Sequence, residues 1–175
     1  MIARWKPVHL GHAAVLEALC DAAEHAIVGI GSSNRYDAAN PFTAAESADM
    51  IRLVLAERSN FEIVDVPDLG HGPRWRAMVV EMLGPQDMFV TANGYVRDLL
   101  ASDYRVVHPA SLVPAERRVA VNATMVRRRM ARGENWHEFV PPAVAAYLID
   151  NGLVERFRRE FGAEYADDEP SPDEP

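Results

Sequence analysis

Short apolar runs rich in β-branched residues recur between segments of helical character, and this alternation constrains the fold more than any other feature of the chain. Ala26-Ile27-Val28-Gly29-Ile30-Gly31 is apolar or small at every position, as in a strand buried on both faces. Residues 61–66, 88–91 and 104–108 read as further strands. The first helix follows residues 9–12 through Ala13, Val15, Leu16 and Leu19. The second opens on Thr43-Ala44-Ala45-Glu46, the spacing of a capping box, with Met50, Ile51, Leu53, Val54 and Leu55 as its apolar face. A third spans 75–83, and Asn93 caps a fourth that runs to Leu100. Segments 124–132, 141–151 and 153–161 complete the helices. The pattern predicts an α/β fold, a Rossmann-like doubly wound parallel sheet of about five strands with C-terminal helices, binding ligands beyond the carboxyl ends of the strands. Met1-Ile2-Ala3 leaves the first strand short of the usual five or six residues, roughly half a strand; it reads as clipped, or as a late start.

The 175 residues suit one domain, placed at 1–162. Beyond it, 163–175 interleaves Glu164, Asp167, Asp168, Glu169, Asp173 and Glu174 with Pro170, Pro172 and Pro175, a composition expected to stay disordered. A formal net charge of −8 leaves no basic surplus for broad nucleic-acid binding. No apolar stretch approaches the roughly 20 residues needed to span a bilayer, so no membrane partner is expected. Cys20 stands alone; no internal disulfide can form, and a reducing cytoplasm is the expected setting.

His9-Leu10-Gly11-His12 carries the chemistry. Two imidazoles three positions apart, separated by a residue without a side chain, can face one anion while the backbone closes on it at a helix start. From spacing alone, a hydrogen-bonded histidine pair or two metal ligands remain open, although His25, His71, His108 and His137 supply no second ligand cluster. Trp75, taken alone, reads more readily as a half-buried core aromatic than as a stacking platform. Arg127, Arg128 and Arg129 diverge around a helix axis, so no more than part of that run can face one ligand.

The segment from Arg4 to His12 resembles the strand-to-helix signature of the HIGH nucleotidyltransferase superfamily, most closely that of archaeal-type nicotinamide mononucleotide adenylyltransferases. Gly29-Ile30-Gly31-Ser32, Asn40-Pro41-Phe42-Thr43, Pro67-Asp68 with Trp75, Asn93, and Asn122-Ala123-Thr124-Met125-Val126-Arg127 resemble further segments of that family in the same order. The resemblance implies joining ATP to a mononucleotide with release of pyrophosphate. It implies catalytic roles for His9, His12 and Arg127, with Arg4, Trp5, Gly11, Asn122 and Thr124 completing the ATP site. It implies an acceptor site from Gly31, Ser32, Phe42, Asp68, Trp75 and Asn93, with Trp75 stacking the cationic nicotinamide ring. Mg²⁺ is expected on the ATP rather than in a protein cage, and a homo-oligomer is implied.

The chain also departs from that pattern. Ala3 and Lys6 stand where glycine and glutamine are usual, and Asn122 replaces a serine while keeping a capping side chain. The loop from Ser32 to Asn40 lacks the family's Ser-His pair and the basic residue before its Pro-Phe-Thr, and Ser47 takes an arginine position. These changes keep open nicotinate mononucleotide or another phosphorylated acceptor, and a catalytically weak nucleotide-binding regulator.

Overall fold

The computed structural model of the protein describes residues 1–166. Five parallel strands form, in two ladders. The first joins β1 (Ile2–Ala3), β2 (Ala26–Gly31) and β3 (Phe61–Val66); the second joins β4 (Phe89–Val90) and β5 (Val106–Val107). Ile2 and Ala3 lie opposite Gly29 and Ile30, and β2 pairs with β3 from Ala26–Phe61 to Gly31–Val66. Gly29 is required by this packing, since a Cβ there would come within 2.7 Å of the Ile2 side chain.

Between the strands run α1 (Leu10–Ala22), α2 (Ala44–Val54), α3 (Gly72–Leu83) and α4 (Gly94–Leu100). After β5 come α5 (Ala123–Arg132), α6 (Pro142–Asp150), α7 (Leu153–Phe161) and the four-residue α8 (Ala163–Ala166). The expected capping box forms: Thr43 Oγ1 accepts from the Glu46 amide, and Glu46 accepts from the Thr43 amide. Leu53, expected on the apolar face of α2, is instead 37% exposed, while Met50, Ile51 and Leu55 are buried.

Alternate strand residues feed two apolar clusters, as the period of two dictates. Val28, Ile30, Phe61 and Ile63 join the larger cluster with α1, α2 and α5–α8; Ile2, Ile27, Val64 and Val66 join the smaller one with α3 and α4. The sheet is therefore covered by helices on both faces. Trp5 and Trp136, both buried, are core residues of the larger cluster.

The ordered fold extends past the expected boundary at residue 162. Phe157, Phe161 and Tyr165 recur at intervals of four, so the apolar stripe of α7 continues into α8 and buries Tyr165 at 7% exposure. This overturns the expectation of disorder for 163–166; the rest of the acidic segment, 167–175, lies outside the described residues.

Candidate active site

The connection from β1 to α1 turns sharply. Trp5 takes a left-handed backbone, φ 57°, unusual for a bulky residue. Its indole N–H donates to the Gly29 carbonyl at 2.9 Å, pinning the turn to β2. His9 then caps α1, its Nδ1 accepting from the His12 amide at 3.2 Å. That bond leaves the proton of a neutral His9 on Nε2. The two imidazoles stack at 3.6 Å between centroids, 20° apart in plane. Gly11 makes this possible: a Cβ there would press on the His9 ring at 3.2 Å.

Arg127 reaches the same place from α5, whose N-cap Asn122 accepts from the Met125 amide at 2.9 Å. The residue is 5% exposed, and its guanidinium is held by three donated bonds: Nε to Tyr165 Oη at 2.7 Å, Nη1 to the Lys6 carbonyl at 2.8 Å, and Nη2 to Thr124 Oγ1 at 3.2 Å. Lys6 lies alongside with its Nζ donating to the Ser32 carbonyl at 3.1 Å.

Burial dominates the electrostatics, because it penalises charge. It lowers His12 to about 4, only partly opposed by the Pro7 carbonyl. It also holds His9 well below the usual imidazole range, helped by His12 and Arg127. Both imidazoles are neutral N–H donors at neutral pH. Burial lowers Lys6 to about 8, against attraction from Asp37. Arg127 is lowered too, again by burial, but a guanidinium starts so high that it keeps its charge.

Two adjoining cavities open at the strand ends. One of about 520 Å³ is lined by Arg4, Trp5, Lys6, His9, His12, Asn122, Thr124, Arg127 and Arg128. The other, about 830 Å³, is lined by Gly11, Gly31, Ser32, Asp68, Trp75 and Asn93, with His71, Tyr95, His108, Val119 and Val121. Arg4 and His12 line both. The residues expected around a triphosphate thus gather in one cavity, Gly11 alone facing the other, and those expected around an acceptor gather in the second.

Phe42 is the exception. It is fully buried and packs against Phe157 of α7, ring centroids 6.3 Å apart, because it precedes the Thr43 cap and the fourth helical position, Ser47, offers it no apolar partner within α2. It shapes the core and not the pocket. Asp68 lines its cavity, but its carboxylate already caps the Gly70 amide at 2.8 Å and meets Arg35 at 3.4 Å. Asn34 and the Asp68 backbone exchange hydrogen bonds, which docks the divergent loop onto this edge.

Tyr95 and Tyr165 escaped the sequence reading. Tyr95 folds over Gly72, where a Cβ would fall within 2.0 Å of its hydroxyl; nothing local signals that. Tyr165 was legible in the four-residue spacing from Phe157, masked by its acidic neighbours.

Residues 3–129 match the family described as Cytidylyltransferase-like, so the class of protein that bears this fold and this cation-lined end is the nucleotidyltransferases. The nicotinamide-nucleotide adenylyltransferase of Methanococcus vannielii is 30% identical over 169 residues, 95% of this chain and 96% of that protein. That of Pyrococcus furiosus is 32% identical over 164 residues, covering 90% and 85%. The chain belongs to the nicotinamide-nucleotide adenylyltransferase family. A bifunctional NMN adenylyltransferase/ADP ribose pyrophosphatase from Francisella tularensis shares the fold, with a TM-score of 0.74 at 16% identity over 94% of this chain; the chain spans 52% of that protein. The same neighbour has also been solved complexed with AMP and a Mn ion.

Proposed function

We propose that the protein transfers the adenylyl group of ATP to nicotinamide mononucleotide, giving NAD and pyrophosphate. The observation that carries this reading is the pair of cavities meeting at Arg4 and His12, one lined by cations and imidazole donors, the other by Trp75. The triphosphate takes the smaller cavity, and the acceptor places its ring on Trp75 and its phosphate towards the junction. An acceptor phosphate oxygen attacks the α-phosphorus of ATP, and the bond to the β-phosphate bridging oxygen breaks with its electrons leaving on pyrophosphate.

Such a transfer asks the protein to align two anions and neutralise moving charge. His12 stands nearest the transferred phosphorus, His9 donates from Nε2, and Arg127 and Thr124 take the leaving phosphates. Arg4, Trp5 and Asn122 complete the ATP site, and Gly11 serves it from the side of the larger cavity as the residue that lets the two imidazoles stack; Gly31, Ser32, Asp68 and Asn93 border the acceptor. Mg²⁺ enters as part of the substrate, held by phosphate oxygens and water.

The test is pyrophosphate release from Mg²⁺–ATP with nicotinamide mononucleotide, nicotinate mononucleotide and unrelated phosphorylated acceptors. Release is expected only with the pyridine mononucleotides and fastest with the nicotinamide form. His12→Ala should lower kcat by about 10²–10³, the usual cost of a preorganised donor at developing charge. ATP binding without turnover on any acceptor would instead make this a nucleotide-binding regulator.

A further inference from the structure

Tyr165 belongs to neither cavity, yet its hydroxyl makes two short hydrogen bonds that no packing role requires. It accepts from Arg127 Nε at 2.7 Å and donates to the Ala38 carbonyl at 2.6 Å. A phenol has one proton to give, so the direction is fixed: Tyr165 to Ala38, Arg127 to Tyr165. The ring is held in turn, buried against Phe157 with centroids 5.7 Å apart.

We propose that Tyr165 is a positioning residue for adenylyl transfer, linking the loop from Ser32 to Asn40 to the plane of the Arg127 guanidinium. The inference rests on Arg127 serving the leaving phosphates, as assigned above. A guanidinium is planar, and fixing Nε on Tyr165 and Nη1 on the Lys6 carbonyl fixes that plane. With Nη2 also donating to Thr124 Oγ1, two of its five N–H groups remain for phosphate oxygens, aimed without a search through rotamers at the moment of reaction. Ala38 lies in the same loop as Ser32, which lines the acceptor cavity and accepts from Lys6. One hydroxyl therefore ties the acceptor loop to the phosphate-binding arginine.

Tyr165→Phe keeps the ring and its burial and removes only the link. The expected result is a kcat lowered about tenfold, with KM for ATP changed less than threefold, because the arginine is still present but no longer aimed. The decisive readout is coupling. In an Arg127→Lys background, which lacks the Nε donor, Tyr165→Phe should change kcat less than twofold. A core role would instead lower the melting temperature and cost the same factor in both backgrounds, and that outcome overturns the proposal, as does full kcat in Tyr165→Phe.

Should Tyr165→Phe fail to fold, the wild-type protein still decides. The Arg127 Nε–H resonance should exchange slowly with solvent, and fast exchange is incompatible with the link. Failure of the functional reading is distinguishable: it appears as Arg127→Ala retaining full acceptor-dependent pyrophosphate release, whatever Tyr165 does.

Discussion

At the scale of single residues, the motif histidines act through burial more than through charge. His12 is lowered to about 4, whereas an unfolded chain protonates histidine near pH 6.5. Between those values the unfolded state binds a proton that the folded state refuses, so stability present above about pH 6.5 is lost as pH falls towards 4. The full effect is about 3–4 kcal/mol for His12, and His9 adds to it with the same sign because burial lowers it in the same direction. Urea midpoints measured from pH 7.5 to 4 should fall steeply in the wild-type protein and less in His12→Asn, which cannot titrate. Equal slopes in the two would mean that His12 is solvated, and would remove the basis for treating it as a neutral donor to phosphate.

Among elements, those with a strong local signal were legible without coordinates. β2 and β3 end where their β-branched runs end, α4 begins after its Asn93 cap, and α7 spans its apolar stripe. The start of α3 was not legible at 75: it begins at Gly72, because His71 caps it and Pro73 sits in the first turn, where a missing N–H costs nothing. Gly72 and Pro73 are residue types that equally punctuate loops. The grouping of His9, His12, Thr124 and Arg127 was visible only through family resemblance, since the backbone route from α5 to α1 leaves no local pattern. Asn122 joins the two levels. Its side chain caps α5 and so sets the first turn, which carries Thr124, with Arg127 three residues further on and bonded back to it. Asn122→Ala should cost about 1 kcal/mol in unfolding free energy and raise KM for ATP. Asn122→Asp should restore the cap and the stability, yet raise that KM further, because it sets a carboxylate on the wall of the triphosphate cavity. A KM that followed stability in both variants would confine Asn122 to a structural role.

For the whole molecule, the larger apolar cluster holds the site from behind. Arg156 of α7 donates to both oxygens of Glu46, at 2.6 and 2.8 Å, and to the Pro41 carbonyl at 3.1 Å. Tyr147 of α6 donates to Asp49 at 3.0 Å. These bonds clamp the C-terminal helices onto the start of α2, where Phe42 fills the interface against Phe157. Phe42 and Trp75 both looked like acceptor residues in the sequence, but the fold sends them to opposite places: Phe42 is fully buried in this interface, while Trp75 lines the larger cavity and only part of it packs on the smaller cluster. Their truncations should therefore separate. Phe42→Ala should cost about 3–5 kcal/mol in unfolding free energy, and the milder Phe42→Leu should leave KM for nicotinamide mononucleotide within about twofold, because the volume stays filled. Trp75→Ala should do the reverse: a smaller loss of stability, with that KM raised about tenfold by the lost stacking of a cationic ring. Urea unfolding and steady-state kinetics on the three variants check both halves. A large KM effect from Phe42→Leu at unchanged stability would return Phe42 to the pocket and require the loop before α2 to open when the acceptor binds.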